Sequence, residues 1–524
     1  MSSMTAPSPV VDPDGPGVVP SRRRTELIML VFAVALITFA FANVGFSLNG
    51  KVPSGLVEYM TPYVVMVVVA HLAMRRFAPW ADPLLLPLAA LLNGLGVVMT
   101  YRLAAQGNLL TAPLASSATL IQVIYTALGV GCLVAVLAFI RETRVLQRYT
   151  YTLGALGILL VALPALLPSS ISEVAGAKIQ IRLGSFTIQP EEFAKIALAI
   201  SFAGYLVAKR DVLALPALLP GSISEVNGAK IQIRFGSLIT IQPEEFAKLA
   251  LAISFAGYLV AKRDVLALAG RRVLGIDLPR ARDLGPILVA WAASLLLLVF
   301  ESDVGTSAVF MGLFVAMLYI ATSRGSWLLL GFIMFVAGAF AASKLFAHVG
   351  ERFDVWLHPF AGSNPEGNAY QPVQGLYGMA SGGLLGKGLG GGQPYITPLV
   401  QSDMVISAFG EELGLAGVMA ILLVYGLIVQ RGLRTAMLVK DPFSKLLAGG
   451  LSFMLALQVF VIVGGVTRLI PLTGITTPFL SQGGSSLVAS WILIALLARL
   501  SDTARRPPPR PIQEEGLTQV VTLK

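Results

Sequence analysis

The sequence predicts an all-α fold: a polytopic membrane helical bundle of about twelve transmembrane helices plus one surplus duplicated segment. Three observations carry this. Only 13% of the 524 residues are charged while 56% are hydrophobic, against about 25% charge in soluble domains. Apolar runs near the roughly 20 residues needed to cross a bilayer recur along the chain. Basic residues gather at alternate turns between those runs, as cytoplasmic loops require.

Residues 1–24, rich in Pro, Gly and Ser and ending in Arg22–Arg24, read as a disordered cytoplasmic tail. They lack the short apolar core of a cleavable signal peptide. A transmembrane domain follows over 25–502, and 503–524, with Arg505 and Arg506 before a proline run, reads as a second cytoplasmic tail. Apolar runs begin near residues 26, 59, 83, 116 and 148, then near 284, 306, 326, 405, 443 and 482. Two more candidates, Glu191–Val207 and Glu244–Val260, belong to a direct tandem repeat, 164–215 and 216–268, in which IQPEEFAK occurs at Ile188–Lys195 and at Ile241–Lys248.

A period of about fifty residues is one that repeat architectures use, but the charges speak against that reading here. With Arg22–Arg24 inside, Arg75–Arg76 and Arg141–Arg148 also fall inside. If one repeat copy spans, the basic stretch 262–282, Arg324, the Arg431–Lys445 loop and the C-terminal tail follow them. If both copies span, every later loop changes side. The link LALPALLPGSIS is too short and proline-rich to cross back. The copies are nearly identical and direct, unlike the diverged inverted repeats of transporters. They read as a recent duplication or an error of sequence assembly, with one copy spare.

Composition narrows the chemistry. Cys132 is the one cysteine, which excludes an internal disulfide and a cysteine-based metal site. His71, His348 and His358 are too scattered for a zinc cluster. The net charge of +10 reads as basic residues held on the cytoplasmic side, not as a nucleic-acid footprint. No resident cofactor is indicated, and a divalent cation is left open.

On this topology 347–404 is the one long extracytoplasmic loop, the natural place for chemistry on a rigid scaffold. Its GGLLGKG is no P-loop: Ser381 stands at the first glycine position and Gly388 at the Ser/Thr position. A flexible Gly-rich turn that lets backbone approach a ligand or a membrane is the expected reading.

Several ordered motifs resemble one family. ESDVGTS (Glu301–Ser307), NAYQPVQ (Asn368–Gln374), GGLLGKGLG, GEELGLAG (Gly410–Gly417) and RLIPLTGITTPFLSQGGSSLVASW (Arg468–Trp491) look like the SEDS family of RodA, FtsW and SpoVE type, in its actinobacterial form. The repeated GAKIQIRFGS…IQPEEFAK is similar to that family's GA-R-W-I-x-L-G…QPSE-x-x-K segment. The resemblance covers most of the chain from about residue 83 onward. It implies a peptidoglycan glycosyltransferase that polymerises lipid II at the outer face of the plasma membrane, beside a class B penicillin-binding transpeptidase. It assigns Lys230, Arg234, Arg352, Asp303, Glu412 and Ser485 to substrate binding, with Glu245 and Lys248 as candidate catalytic residues. Arginine can grip phosphate bidentately. Glu245 and Lys248 share one helix face at a spacing of three, although a glutamate in a first turn behind Pro243 is also ordinary helix chemistry. Lys387 reads as interfacial snorkelling.

The loop departs from the family pattern R…W-x-D/N-P-x-x-D-P-x-G-x-G-Y-Q. This chain has Arg352, Trp356 and then HPFAGSNPEGNAYQ, which places Asn364 where the family has its catalytic aspartate. Ala369 replaces a glycine, and Gln482 a tyrosine of many relatives. Asparagine has no useful basicity, and a positioned base is worth about 10²–10⁴-fold in rate. Three explanations stay open: Glu366 or Asp354 has taken over, the chain is a silent scaffold for the transpeptidase, or the alignment shifts across the insertion. A lipid-precursor transporter is a weaker reading, because the centres of the apolar runs are nearly free of charge.

Overall fold

Wherever the structure describes the apolar runs, they are helices. This computed structural model describes residues 22–53, 55–105, 112–149, 152, 173–174, 177–178, 181–183, 186–188, 233–235, 239–241, 243–266, 271–273, 276–278, 304–345, 347–361 and 365–507. The N-terminal half holds α1 (Arg23–Asn49), α2 (Gly55–Phe77), α3 (Leu85–Ala105), α4 (Ala112–Phe139) and a short α5 (Arg144–Arg148). α6 (Pro243–Leu266) comes from the second repeat copy and begins at its proline. Then follow α7 (Val304–Thr322), α8 (Ser326–Leu345), α9 (Ala347–Leu357), α10 (Tyr370–Gly382), α11 (Val405–Leu438), α12 (Pro442–Val466) and α13 (Gly484–Arg505).

Among the described residues seven helices are long and apolar enough to cross a membrane, and α6, α7 and α8 contain three shorter apolar ones. Most of the run expected near 148, the run near 284 and the first-copy helix Glu191–Val207 lie outside the described residues. The twelve-span count therefore rests on the charge argument. Four antiparallel pairs of two or three residues accompany the helices: β1 (Glu173–Val174) with β2 (Ala177–Lys178), β3 (Ile181–Leu183) with β4 (Phe186–Ile188), β5 (Ile233–Phe235) with β6 (Ile239–Ile241), and β7 (Arg271–Val273) with β8 (Ile276–Leu278). The repeat builds one hairpin twice, pairing Ile181 with Ile188 and Ile233 with Ile241.

α13 is the axis. Leu487, Trp491, Ile494, Leu497 and Ala498 are buried around its circumference, and it packs on α3, α4, α6, α11 and α12. α1 and α8 stand at the periphery, where Ile28, Phe32, Phe39, Phe332 and Phe340 remain exposed. Such apolar faces suit hydrocarbon and not water. The chain is a multi-pass helical membrane protein.

One end of the bundle is basic and densely paired. Arg23 bonds Glu26 and, 3.1 Å away, the Pro79 carbonyl, and Glu26 also meets His71 Nδ1 at 2.7 Å. Asp82 pairs with Arg505, and Asp502 takes the Trp80 N–H at 2.8 Å and Arg506 at 2.8 Å. Arg144 reaches Asp441, the residue that caps α12 by accepting from the Ser444 N–H at 2.9 Å. These contacts carry α1 and α13 beyond the expected 25–502 limits, to Arg23 and Arg505. Both arginines have carboxylate partners there, so both ends stay helical.

Candidate active site

At the opposite end of the bundle the sequence-predicted residues fall into two groups. The first surrounds the segment that leads into α13. Arg352, on α9, donates from Nη1 to the carbonyls of Thr473, at 3.0 Å, and Leu472, at 3.4 Å. Trp356 Nε1 donates to the Arg468 carbonyl at 3.1 Å, and Arg468 Nε returns a bond of 2.9 Å to the Trp356 carbonyl. α9 is thereby fastened to the 468–473 segment. Gly474, with φ +75°, lies between charges: a Cβ there would sit 3.8 Å from Asp403 Oδ2 and 4.0 Å from Arg352 Nη2.

Beneath it lies buried polar chemistry. Gln122 Nε2 donates to the Ser481 carbonyl at 3.3 Å and Gln458 Nε2 to that of Thr476 at 3.2 Å. The hydroxyls of Thr476, Thr477 and Ser486 and the side-chain oxygen of Gln122 are buried with no hydrogen-bond partner among the described residues. Unpaired buried polar atoms are costly and call for an explanation. Ser485, in the first turn of α13, is 3% exposed, and Lys248, on α6, is 1% exposed. α13 touches both α6 and β6, so the elements carrying Lys248 and Arg234 adjoin the one carrying Ser485. Arg234 sits in β5 opposite Thr240, and Glu245 in the first turn of α6. Glu366 is exposed on the turn before α10, and exposed Asp354 faces His358 at 3.4 Å. Lys230, Asp303 and Asn364 lie outside the described residues.

The second group is built around the Gly-rich loop. The loop is stitched into a broken helix instead of forming a free turn. α11 breaks at Gly414, with φ +68° and ψ −173°. The N–H groups of Lys387 and Gly388 donate to the carbonyls of Glu411, at 3.1 Å, and Glu412, at 2.9 Å. Beyond the break, the N–H groups of Leu415 and Ala416 donate to the carbonyls of Gly383, at 2.9 Å, and Leu384, at 3.0 Å. Groups orphaned on both sides of the break are satisfied by the same loop, as membrane depth demands. A Cβ on Gly386 would lie 2.2 Å from the Glu412 carbonyl oxygen, and one on Gly414 2.3 Å from the Gly386 nitrogen. Only glycine fits at these two positions.

Glu412, expected at the substrate, faces inward. Its Oε1 accepts from Arg102 Nε at 2.7 Å, both side chains being 0% exposed. Arg102 Nη2 donates onward to the carbonyls of Gly392, at 2.8 Å, and Gly390, at 3.3 Å. Glu411 Oε1 receives Lys387 Nζ at 3.1 Å and the Gln393 N–H at 2.9 Å. Lys387 is therefore ion-paired and not simply snorkelling. The sequence reading missed Arg102. Its signal was a lone charge near the end of an apolar run, GVVMTYRLAA. Among the described residues no group of three His, Cys, Asp or Glu side chains could hold a metal ion.

A bundle of long apolar helices with buried polar groups among them defines a polytopic helical membrane protein. The sequence profile of the FtsW/RodA/SpoVE family of cell cycle proteins matches residues 82–218 and 211–506. The chain belongs to this family. It is 44% identical to the peptidoglycan glycosyltransferase RodA of Mycobacterium tuberculosis over 505 residues, 96% of each chain. It is 41% identical to the Mycobacterium leprae protein of that name over 489 residues, 93% of this chain and 92% of the other. Stage V sporulation protein E of Bacillus subtilis is 32% identical over 291 residues, 55% of this chain and 75% of the other. Among solved structures, the rod shape determining protein RodA of Thermus thermophilus aligns with TM-score 0.40 at 20% identity, covering 85% of this chain and 96% of that one.

Proposed function

We propose that this chain is a peptidoglycan glycosyltransferase of the plasma membrane, polymerising lipid II at the outer face in cell elongation or division. The observation that carries the reading is the 44% identity to the Mycobacterium tuberculosis protein named for that activity, sustained over 96% of both chains. The basic residues gathered at one end support an orientation with both termini cytoplasmic, which leaves Arg352, Glu366 and the first turn of α13 outside. A class B penicillin-binding transpeptidase is the expected partner. The family profile splits at 211–218, beside the repeat junction at residue 216. That split supports the view that one period is extra.

In the reaction the acceptor's sugar hydroxyl attacks the donor's anomeric carbon. The bond to polyprenyl pyrophosphate breaks, and the hydroxyl proton passes to a base. Lys230, Arg234, Lys248 and Arg352 supply positive charge for the departing pyrophosphate. The unpaired hydroxyls of Thr476, Thr477 and Ser486, with Ser485 beside them, offer hydrogen bonds to a sugar or phosphate. Asp303 and Glu245 are assigned to the same chemistry by their place in the family motifs, just before α7 and in the first turn of α6. Glu412, whose Oε1 is held by Arg102, shapes the loop.

Asn364 favours a second reading, a silent scaffold for the transpeptidase. Variants separate the two in a lipid II polymerisation assay with purified full-length protein. If Asn364 occupies the base position, Asn364→Asp raises the rate by as much as about 10²–10⁴-fold, and Glu366→Gln and Asp354→Asn change little. If Glu366 is the base, Glu366→Gln abolishes activity and Asn364→Asp adds almost nothing. No polymer from the parent or from Asn364→Asp, even with transpeptidase present, leaves the scaffold reading.

A further inference from the structure

The Gly-rich loop has a tip that the reaction does not use. Leu384 and Leu385 are 66% and 80% exposed, among the most exposed large apolar residues described. Two such side chains in water at a rigidly bonded turn serve no folding purpose. Their position along α11 accounts for them. The Leu384 carbonyl accepts from the Ala416 N–H at 3.0 Å, so the tip lies against the start of the second segment of α11. From there Leu415, Met419 and Leu423, each exposed, run down one face at a spacing of four. That stripe is the lipid-facing side of a helix long and apolar enough to span.

Depth follows from the rise of the helix. Arg431, near Asp82 at 3.9 Å, marks the basic end of the bundle. The sixteen residues from Leu415 to Arg431 cover about 24 Å at 1.5 Å per residue, and the hydrocarbon core is about 30 Å thick. Leu415 therefore sits at or just within the hydrocarbon boundary of the opposite leaflet, and Leu384–Leu385 sit beside it. The cations described at this loop are both ion-paired, Lys387 with Glu411 at 3.1 Å and Arg102 with Glu412 at 2.7 Å, which lowers the cost of holding the loop at the boundary.

We propose that the Leu384–Leu385 tip is a wedge inserted among the acyl chains of that leaflet, anchoring the Gly383–Gly392 loop to the bilayer. The wedge and the Arg102–Glu412 pair hold the loop from opposite sides, one in lipid and one in protein. This inference does not depend on the glycosyltransferase reading.

The test uses full-length Cys132→Ala protein in nanodiscs of phosphatidylethanolamine and phosphatidylglycerol, where both faces are open to water. Leu385→Cys carries an environment-sensitive NBD label, and exposed Gln401→Cys is the aqueous control. We expect blue-shifted emission at 385, strong quenching by lipids with doxyl groups near the headgroup, weaker quenching by doxyl groups deep in the chain, and little quenching by iodide. The label at 401 should show the reverse. Iodide quenching at 385 equal to that at 401, without lipid quenching, overturns the proposal, and it is the result expected if the tip were a docking surface for a water-soluble domain of another protein. Because Leu385 is a surface residue, the labelled variant keeps the fold, which its thermal melt checks.

Discussion

The residue that organises the Gly-rich end, Arg102, is 310 positions from its partner Glu412 in the chain. Arg102→Ala leaves a buried carboxylate without its counter-ion, a change that typically costs about 3–5 kcal/mol. We expect a clear fall in the melting temperature of detergent-solubilised protein. The double variant Arg102→Met with Glu412→Met should recover most of the loss, since it removes both charges. A single variant that melts like the parent contradicts the clamp. The GEELGLAG motif marks Glu412 in the sequence, and sequence reading assigned it to substrate without its partner Arg102. A motif shows that a carboxylate is required and not which way it points. Glu366 and Arg352 were assigned by topology to the long loop 347–404, and Arg352 lies on α9 within it.

At the scale of the element, helices were legible and the breaks in them were not. Ten runs of apolar residues became helices because burying a backbone in hydrocarbon forces its hydrogen bonds to close locally. α9 and α10, of 11 and 13 residues, were hidden inside the expected loop 347–404 because neither is long enough to span. The break in α11 left only a glycine as its trace, and an isolated glycine in a helical run is usually tolerated without a kink. Gly414→Ala and Gly386→Ala place a methyl group against backbone and impose positive φ. Each should expose 383–393 to limited proteolysis while leaving the basic end protected; unchanged cleavage contradicts the interlocked loop and helix. The hairpin repeated at β3–β4 and β5–β6 shows that each copy encodes the same local structure. Deleting Pro164–Leu215 should therefore keep membrane insertion and any complementing activity. Loss of both, with the shortened protein still expressed, means that the deleted period has a role of its own.

For the whole molecule, alternating basic turns were the most informative feature of the sequence, and the structure gathers Arg23, Arg144, Arg431, Arg505 and Arg506 at one end. In intact cells, a cysteine at Gln401 should react with a membrane-impermeant maleimide and one near Gly270 should not; the opposite pattern inverts the topology. The polar interior around α13 was less legible, since Thr476, Thr477, Ser486 and Gln122 meet only through folding. The most direct measurement of the central claim is the fate of labelled lipid II given to the purified full-length protein in lipid, alone and with its transpeptidase. A glycosyltransferase gives a ladder of glycan strands with matching release of polyprenyl pyrophosphate, in at least the transpeptidase-bound form. Lipid II that remains monomeric in both conditions, for the parent and for Asn364→Asp alike, contradicts that claim.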